Sequence, residues 1–525
     1  MENLIIGFQD VLNPATLFWV AVGVTLGYVL GALPGLGKAT GVAVAIPLTF
    51  YLEPVAALGL LIGIAKGSAA GSAVSAILLN TPGEPSSAPT ALDGYPLARQ
   101  GKAQKALKMG LYASVLGDFV STLILIGLAA PLASYALLIG PVELCAILLF
   151  SLTFVGGLSG GSLTKGLIAA AFGVFFATIG LEPETFISRM TFGRLELEDG
   201  LALVPLAIGM LAVAEMVLQA GNMRTLDHES ARIVQGASRD DRVVTAAEWR
   251  RCLPVIARGT LIGSVVGILP GLGASVGSFL SYGATQRASK TPEKYGTGMI
   301  EGVAAAESAD NAVVPSSLVP LFALGIPGSV IAAILIAAFI LHGLTPGPLM
   351  FKQQPRLVAD VYASMICASL IMLVIGYFGQ RLFAMVIRVP LRLIIPGVLL
   401  LCSVGAYMET SSVFSIYVML FFALIGFFAR KLDFSFVTFL IGFVIGPSLE
   451  LTFRQSIQIL DHKAANLAGH PIALLFIALT LATVWWTARG NARAAAARRR
   501  SDLVLPGSAS RGPASTETTG NHKGG

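Results

Sequence analysis

Leu26-Gly27-Tyr28-Val29-Leu30-Gly31-Ala32-Leu33-Pro34-Gly35-Leu36-Gly37-Lys38-Ala39-Thr40-Gly41 decides the fold, because it returns as Ile262-Gly263-Ser264-Val265-Val266-Gly267-Ile268-Leu269-Pro270-Gly271-Leu272-Gly273-Ala274-Ser275-Val276-Gly277. Nine of the sixteen aligned positions are identical, five of them glycine and one proline, at a constant offset of 236. Glycine and proline each make up only roughly 5 to 7% of an average chain, so chance is a poor source of that match. A second correspondence follows in each half, where Leu79-Asn80-Thr81-Pro82-Gly83 answers Leu324-Gly325-Ile326-Pro327-Gly328 at an offset of 245. Each half therefore carries two Pro-Gly interruptions, and proline with glycine breaks the hydrogen-bond ladder of a helix.

The surroundings of these interruptions are apolar. The chain has 525 residues, 55% hydrophobic and 12% charged, against about 25% charged in soluble domains. Runs such as Val11 to Leu30, Met109 to Leu128, Leu201 to Ala220 and Val361 to Gly379 match the roughly 20 residues that cross a hydrocarbon layer. This excludes a soluble enzyme. The fold class read from these features is an all-α polytopic integral membrane protein of about a dozen segments in the lipid bilayer, with re-entrant or broken helices. It has two structural repeats, for which inverted topology is the expectation. Short runs near 41–52 and 274–285 read as half helices, which a bilayer tolerates only where protein or a wet cavity covers them.

Arg224, Arg232, Arg239, Arg242, Arg250 and Arg251 fall in one polar interior segment, which the positive-inside rule places in the cytoplasm. The expected division is a first transmembrane repeat at 1–220, a cytoplasmic linker at 221–252, a second repeat at 253–488 and a disordered cytoplasmic tail at 489–525. The acid-biased loop from Glu182 to Asp199 is expected on the outer face. The first residues lack a basic n-region and a cleavage site, so the amino terminus is expected to enter the first span directly. The net charge of +6 reports topology and implies no nucleic-acid partner. Cys145, Cys252, Cys367 and Cys402 are scattered without a CxxC pair, and no metal site is expected.

Paired Gly/Pro interruptions in corresponding positions of two halves are the sequence mark of a transporter site. Broken helices expose amides near the midplane, and the positive ends of half helices suit a carboxylate. The candidate substrate contacts are therefore Pro34, Gly35, Gly37, Pro82, Gly83, Pro270, Gly271, Gly273, Pro327 and Gly328, with the polar neighbours Lys38, Asn80, Thr81, Ser275 and Ser329. Gly27, Gly31, Gly37 and Gly41 also have the spacing that lets helices pack closely. Lys66 is a further candidate, either as a cation for a substrate carboxylate or as the partner of Asp118, Glu307 or Asp310, since a lysine inside a membrane needs some partner. Glu307, Asp310 and Asn311 are the candidates for a coupling ion, Na+ or H+, with no other cofactor. Glu301 reads either as a member of that group or as a helix-start carboxylate at a membrane edge.

Nucleotide readings fail. Gly37-Lys38-Ala39-Thr40 has Ala32 where the phosphate loop needs its first glycine and Ala39 where it needs Ser or Thr, and Gly35-Leu36-Gly37 lacks the dinucleotide spacing. No Ser/His/Asp set or HExxH motif is present for an intramembrane enzyme. A passive anion channel or pore built from broken helices is the alternative to a carrier.

With these motifs the sequence resembles the large membrane subunit of the tripartite tricarboxylate transporter family, from about Val11 to Trp486. The resemblance rests on Gly31 to Gly41, on Leu78-Leu79-Asn80-Thr81-Pro82-Gly83 with Asp93-Gly94-Tyr95-Pro96, and on Leu269 to Gly273. It continues through Gly298-Met299-Ile300-Glu301-Gly302-Val303, Leu324 to Gly328 and His342-Gly343-Leu344-Thr345-Pro346-Gly347-Pro348. It implies ion-gradient-driven import of a tricarboxylate or related small carboxylate across the bacterial inner membrane, with a small membrane subunit and a periplasmic solute-binding protein as partners. One departure stands out: where the family has paired asparagines after Glu307, this chain reads Ser308-Ala309-Asp310-Asn311.

Overall fold

The computed structural model describes residues 2–33, 35–158, 162–182, 184–222, 238, 240–386 and 391–504. Ten helices among the described residues are long and apolar enough to cross a membrane. Strand is confined, among those residues, to one short antiparallel pair, Gly180–Leu181 with Ser188–Arg189. The chain is a multi-pass, all-α membrane protein.

Pro54–Leu79 has 26 residues, about 39 Å at the α-helical rise, and is buried inside the fold from Ala56 to Ile77. The peripheral Pro471–Arg489 span is only 6% buried, so almost all of its apolar surface is left for lipid. The central helix packs against Pro14–Ala32, which starts on a proline with Asn13 Oδ1 accepting from the Ala15 amide at 3.1 Å. Close approach is set by small residues: a Cβ on Gly31 would fall on the Ser68 carbonyl, and one on Gly67 would fall on the Val24 carbonyl. Ala246–Ile268 and Ile300–Ser316 pair in the same manner, with Gly263 against the Ala309 backbone. In lipid such contact is dispersion and packing, since apolar burial gives no drive between helices there. The packing role read for Gly27 and Gly31 thus holds alongside the breaks.

Several helices are too short to span. Lys38–Ala45 has 8 residues and Val330–Leu341 has 12, about 12 and 18 Å long. Gly273–Ala288 has 16 residues, about 24 Å. These are the half helices expected beside the breaks; the core of the fold buries Lys38–Ala45 almost throughout and most of Val330–Leu341, whereas Gly273–Ala288 leaves Phe279 and Leu280 exposed.

Two expected boundaries move. Ala246–Ile268 begins inside the segment assigned to the linker, because Thr245 and Glu248 form a reciprocal capping box that starts the helix there. The last helix runs from Pro471 to Val504, so 489–504 is helical where a disordered tail was expected; a run of alanine and arginine, both strong helix formers, continues the apolar span. Residues 505–525 and most of the linker lie outside the described residues, as does Pro34.

Candidate functional site

Both interruptions end a helix in the same way. Leu33 and Leu269 leave the helix in extended conformation. Gly35 and Gly271 then adopt φ of +83° and +84°, a region where a side chain costs about 1–2 kcal/mol. The Gly35 amide donates to the Gly83 carbonyl at 3.2 Å and the Gly271 amide donates to the Gly328 carbonyl at 3.1 Å. Each first break is thus tied to the second break of its own half. The helices before those second breaks also end alike, with Asn80 and Gly325 left-handed at φ of 55° and 73°.

The two broken regions line one cavity of about 690 Å3. Gly35, Gly37, Lys38, Gly83, Gly271, Gly273, Ser275 and Ser329 all lie on its wall, together with Glu84, Ser86, Glu215 and Arg430. Lys38–Ala45, Gly273–Ala288 and Val330–Leu341 all begin at this cavity, so three positive helix ends face it.

Lys38 is the most heavily engaged wall residue. Its Nζ donates to Asp310 Oδ1 at 2.5 Å and to Ser86 Oγ at 3.3 Å, and lies 3.7 Å from Glu84 Oε2. Its backbone amide donates to Glu84 Oε1 at 2.8 Å, so a carboxylate already sits at that helix start. Lys38 is 1% exposed and Asp310 0%, which places a charged pair away from water, where it persists only if hydrogen-bonded. Asp310 Oδ2 and Asn311 Oδ1 are buried with no hydrogen-bond partner among the described residues. Glu307, one turn earlier, accepts from Thr90 Oγ1 at 2.6 Å, Ser114 Oγ at 2.9 Å and Asn311 Nδ2 at 3.4 Å. Its partners are hydroxyls and an amide.

Also on this wall, Arg430 pairs with Glu215 and donates to the Leu211 carbonyl at 3.2 Å, while its guanidinium lies 4.8 Å from the Phe436 ring centroid.

Several candidates lie elsewhere. Lys66 donates to Asp118 Oδ2 at 2.7 Å, Thr122 Oγ1 at 3.0 Å, the Met365 carbonyl at 2.8 Å and Ser369 Oγ at 3.0 Å. Of the partners open to Lys66, the structure shows Asp118, and Lys66 is not among the residues of this cavity wall. Asn80 and Thr81 are exposed and, with Pro82, Pro270, Pro327 and Gly328, shape the breaks from behind the wall. Glu301 stands in the first turn of Ile300–Ser316, facing the exposed Arg251 at 3.4 Å, which is the helix-start arrangement.

Asp93 emerges as a clamp between the halves. Its Oδ1 accepts from the Gly296, Gly298 and Met299 amides at 2.8, 2.9 and 2.8 Å, and its Oδ2 accepts from the Tyr282 hydroxyl at 2.9 Å. This fixes the entry of the helix that carries Glu307, Asp310 and Asn311.

Sequence reasoning missed Glu84, Glu215 and Arg430. Glu84 had a signal, since it directly follows the Pro82-Gly83 break. Glu215 and Arg430 had a weaker one, as ionisable groups at the ends of apolar runs.

The model of the tripartite tricarboxylate transporter TctA family matches residues 17–441. An uncharacterised 52.8 kDa protein in the TAR-I ttuC' 3' region of Agrobacterium vitis is 37% identical over 484 residues, 92% of this chain and 95% of that protein. An uncharacterised protein in the TAR-II ttuC' 3' region of the same organism is 35% identical over 222 residues, 42% of this chain and 92% of that protein. No solved structure matches the chain.

Proposed function

The chain belongs to the tripartite tricarboxylate transporter TctA family, and from that membership we propose that it is the large permease subunit of a binding-protein-dependent secondary transporter in the bacterial inner membrane. The family is one of transporters, which makes this chain a membrane transporter component. The finer reading is import of tricarboxylates or related small carboxylates, handed over by a periplasmic binding protein, with a small membrane subunit as the third component. The observation that carries it is the single cavity lined by both broken regions, with Lys38 and three helix starts facing it.

A carboxylate end of the substrate takes a place at Lys38 and the half-helix amides. Ion coupling follows from charge. Lys38 and Arg430 stand among Glu84, Glu215, Glu307 and Asp310, so an incoming anion adds to a region that is already acid-rich and largely buried. Unbalanced charge is costly there, and a cation that enters with the substrate offsets it. The unpartnered oxygens of Asp310 and Asn311 are the acceptors that suit Na+ or a proton. The two halves act as inverted repeats, one moving against the other around the cavity.

The test is uptake of radiolabelled citrate into proteoliposomes holding the chain, a candidate small subunit and a binding protein, with imposed Na+ or H+ gradients. Uphill, gradient-dependent accumulation is expected, and Asp310→Asn, which restores the amide of the family, is expected to keep dependence on a gradient while removing any part of it carried by H+. Flux that only ever runs downhill would replace the carrier with a pore.

A further inference from the structure

The geometry points to Arg430 as the second cationic anchor of the cavity, a specificity-determining residue that takes the far carboxylate of a substrate whose near carboxylate is held at Lys38. The inference rests on the carboxylate reading of this cavity and goes beyond it by making two separated negative charges a requirement for tight binding.

Two cations share the wall of one cavity but come from opposite ends of the chain, and each has a distinct resident acid: Asp310 with Lys38, Glu215 with Arg430. Arg430 is only partly engaged by these contacts. One terminal nitrogen serves Glu215 and the other the Leu211 carbonyl, while Nε is buried with no hydrogen-bond acceptor among the described residues. A buried N–H left unpaired costs free energy that a ligand oxygen recovers. The planar fork of arginine matches a carboxylate better than an ammonium does, and the guanidinium lies over the Phe436 ring, a cation–π contact that favours its position. Gly35, at the first break, lies next to the same group: a Cβ there would come within 2.9 Å of Glu215 Oε1. The Arg430–Glu215 pair therefore borders the broken backbone itself. A monocarboxylate can satisfy Lys38 or Arg430; only a molecule with two carboxylates satisfies both.

Binding of radiolabelled succinate to the full chain in proteoliposomes, competed by unlabelled succinate or butyrate, reads the number of carboxylates directly, because the two differ in one end group. The folded wild type is expected to prefer succinate. Arg430→Gln is expected to weaken succinate about 30-fold and leave butyrate within about twofold, and Arg430→Lys to recover part of the loss. Because Arg430→Gln strands Glu215, the Glu215→Gln/Arg430→Gln pair is measured beside it, and the same loss of preference is expected. A succinate preference that survives intact in the folded double variant overturns the role of Arg430 while leaving the carboxylate reading in place. Failure of the folded wild type to hold either acid overturns both.

Discussion

The two broken regions share a backbone and differ in charge. Both turn on a left-handed glycine whose amide reaches the carbonyl of the glycine after the partner proline. Yet the first region carries Lys38 and Glu84, where the second has Ala274 and Ser329 at the matching offsets. The first helix start is filled by the Glu84 carboxylate, while Gly273–Ala288 begins with no side-chain cap. Both breaks share the geometry that opens the backbone, but at the breaks themselves the charge is on one side only: the first brings Lys38 and Glu84, the second amides and the Ser329 hydroxyl, while Glu215, Asp310 and Arg430 come from the helices around them.

The largest effect that would sharpen this contrast comes from removing the charge. Lys38→Met leaves Asp310 buried without its cation, and breaking such a pair costs about 3–5 kcal/mol. Uptake is expected to vanish and thermal unfolding in detergent to occur at a clearly lower temperature. The control is Lys66, an equally buried lysine that lies off the wall. Replacing both partners of a buried pair by apolar residues is often close to neutral for stability. Lys66→Met with Asp118→Leu is therefore expected to keep transport, and Lys38→Met with Asp310→Leu to regain stability without transport. Uptake by the second double variant at the wild-type rate would remove Lys38 from the site.

A smaller effect separates the two glycines. Both sit at positive φ, so alanine costs each about 1–2 kcal/mol in backbone strain. Their surroundings then divide them. A Cβ on Gly35 meets the ends of the Gln219 and Glu215 side chains, which can swing away, whereas a Cβ on Gly271 comes within 2.7 Å of the Val155 Cα. Overpacking against fixed backbone adds about 1–3 kcal/mol. Gly271→Ala is expected to lower stability more, and Gly35→Ala to lower uptake more, because it disturbs the Glu215–Arg430 pair. Equal losses on both measures would show that the two breaks are mechanically equivalent.

The share of this architecture visible in the sequence follows the range of its causes. The breaks are local: Pro-Gly-Leu-Gly cannot continue a helix, so their place and the short helices after them were legible before any packing was considered. That residues of both breaks line one cavity is a fact of packing, which paired breaks suggest but do not dictate. Pairings between distant residues were not legible. Lys66 had three acids within its reach in principle, and only the packing of Ala103–Ala136 against the central helix brings Asp118 to it. Arg430 stands at the end of an apolar run beside Lys431, where a basic residue reads as a marker of topology; its placement on the cavity wall depends on Glu215, more than two hundred residues earlier. Asn80 and Thr81 show the converse: next to a break in sequence, they stand exposed at the left-handed turn and are not among the residues of the cavity wall.

The smallest expected effect tests the neutral break. Ser329 Oγ accepts from the Ala332 amide at 3.2 Å and caps Val330–Leu341, and it also donates to Ser317 Oγ at 3.0 Å. Ser329→Ala removes the cap, a change of about 1 kcal/mol, and leaves the helix start facing the cavity with an amide uncovered. If the second region supplies amides and the first supplies charge, the variant is expected to lose a little stability while citrate uptake stays within about threefold of wild type, because the exposed amide remains a donor to an anion. Melting temperature and initial uptake rate, measured on one preparation, separate the two readouts. A Ser329→Ala variant that melts like wild type but transports nothing would make Ser329 a ligand equal in weight to Lys38, and the division of labour between the two breaks would fall.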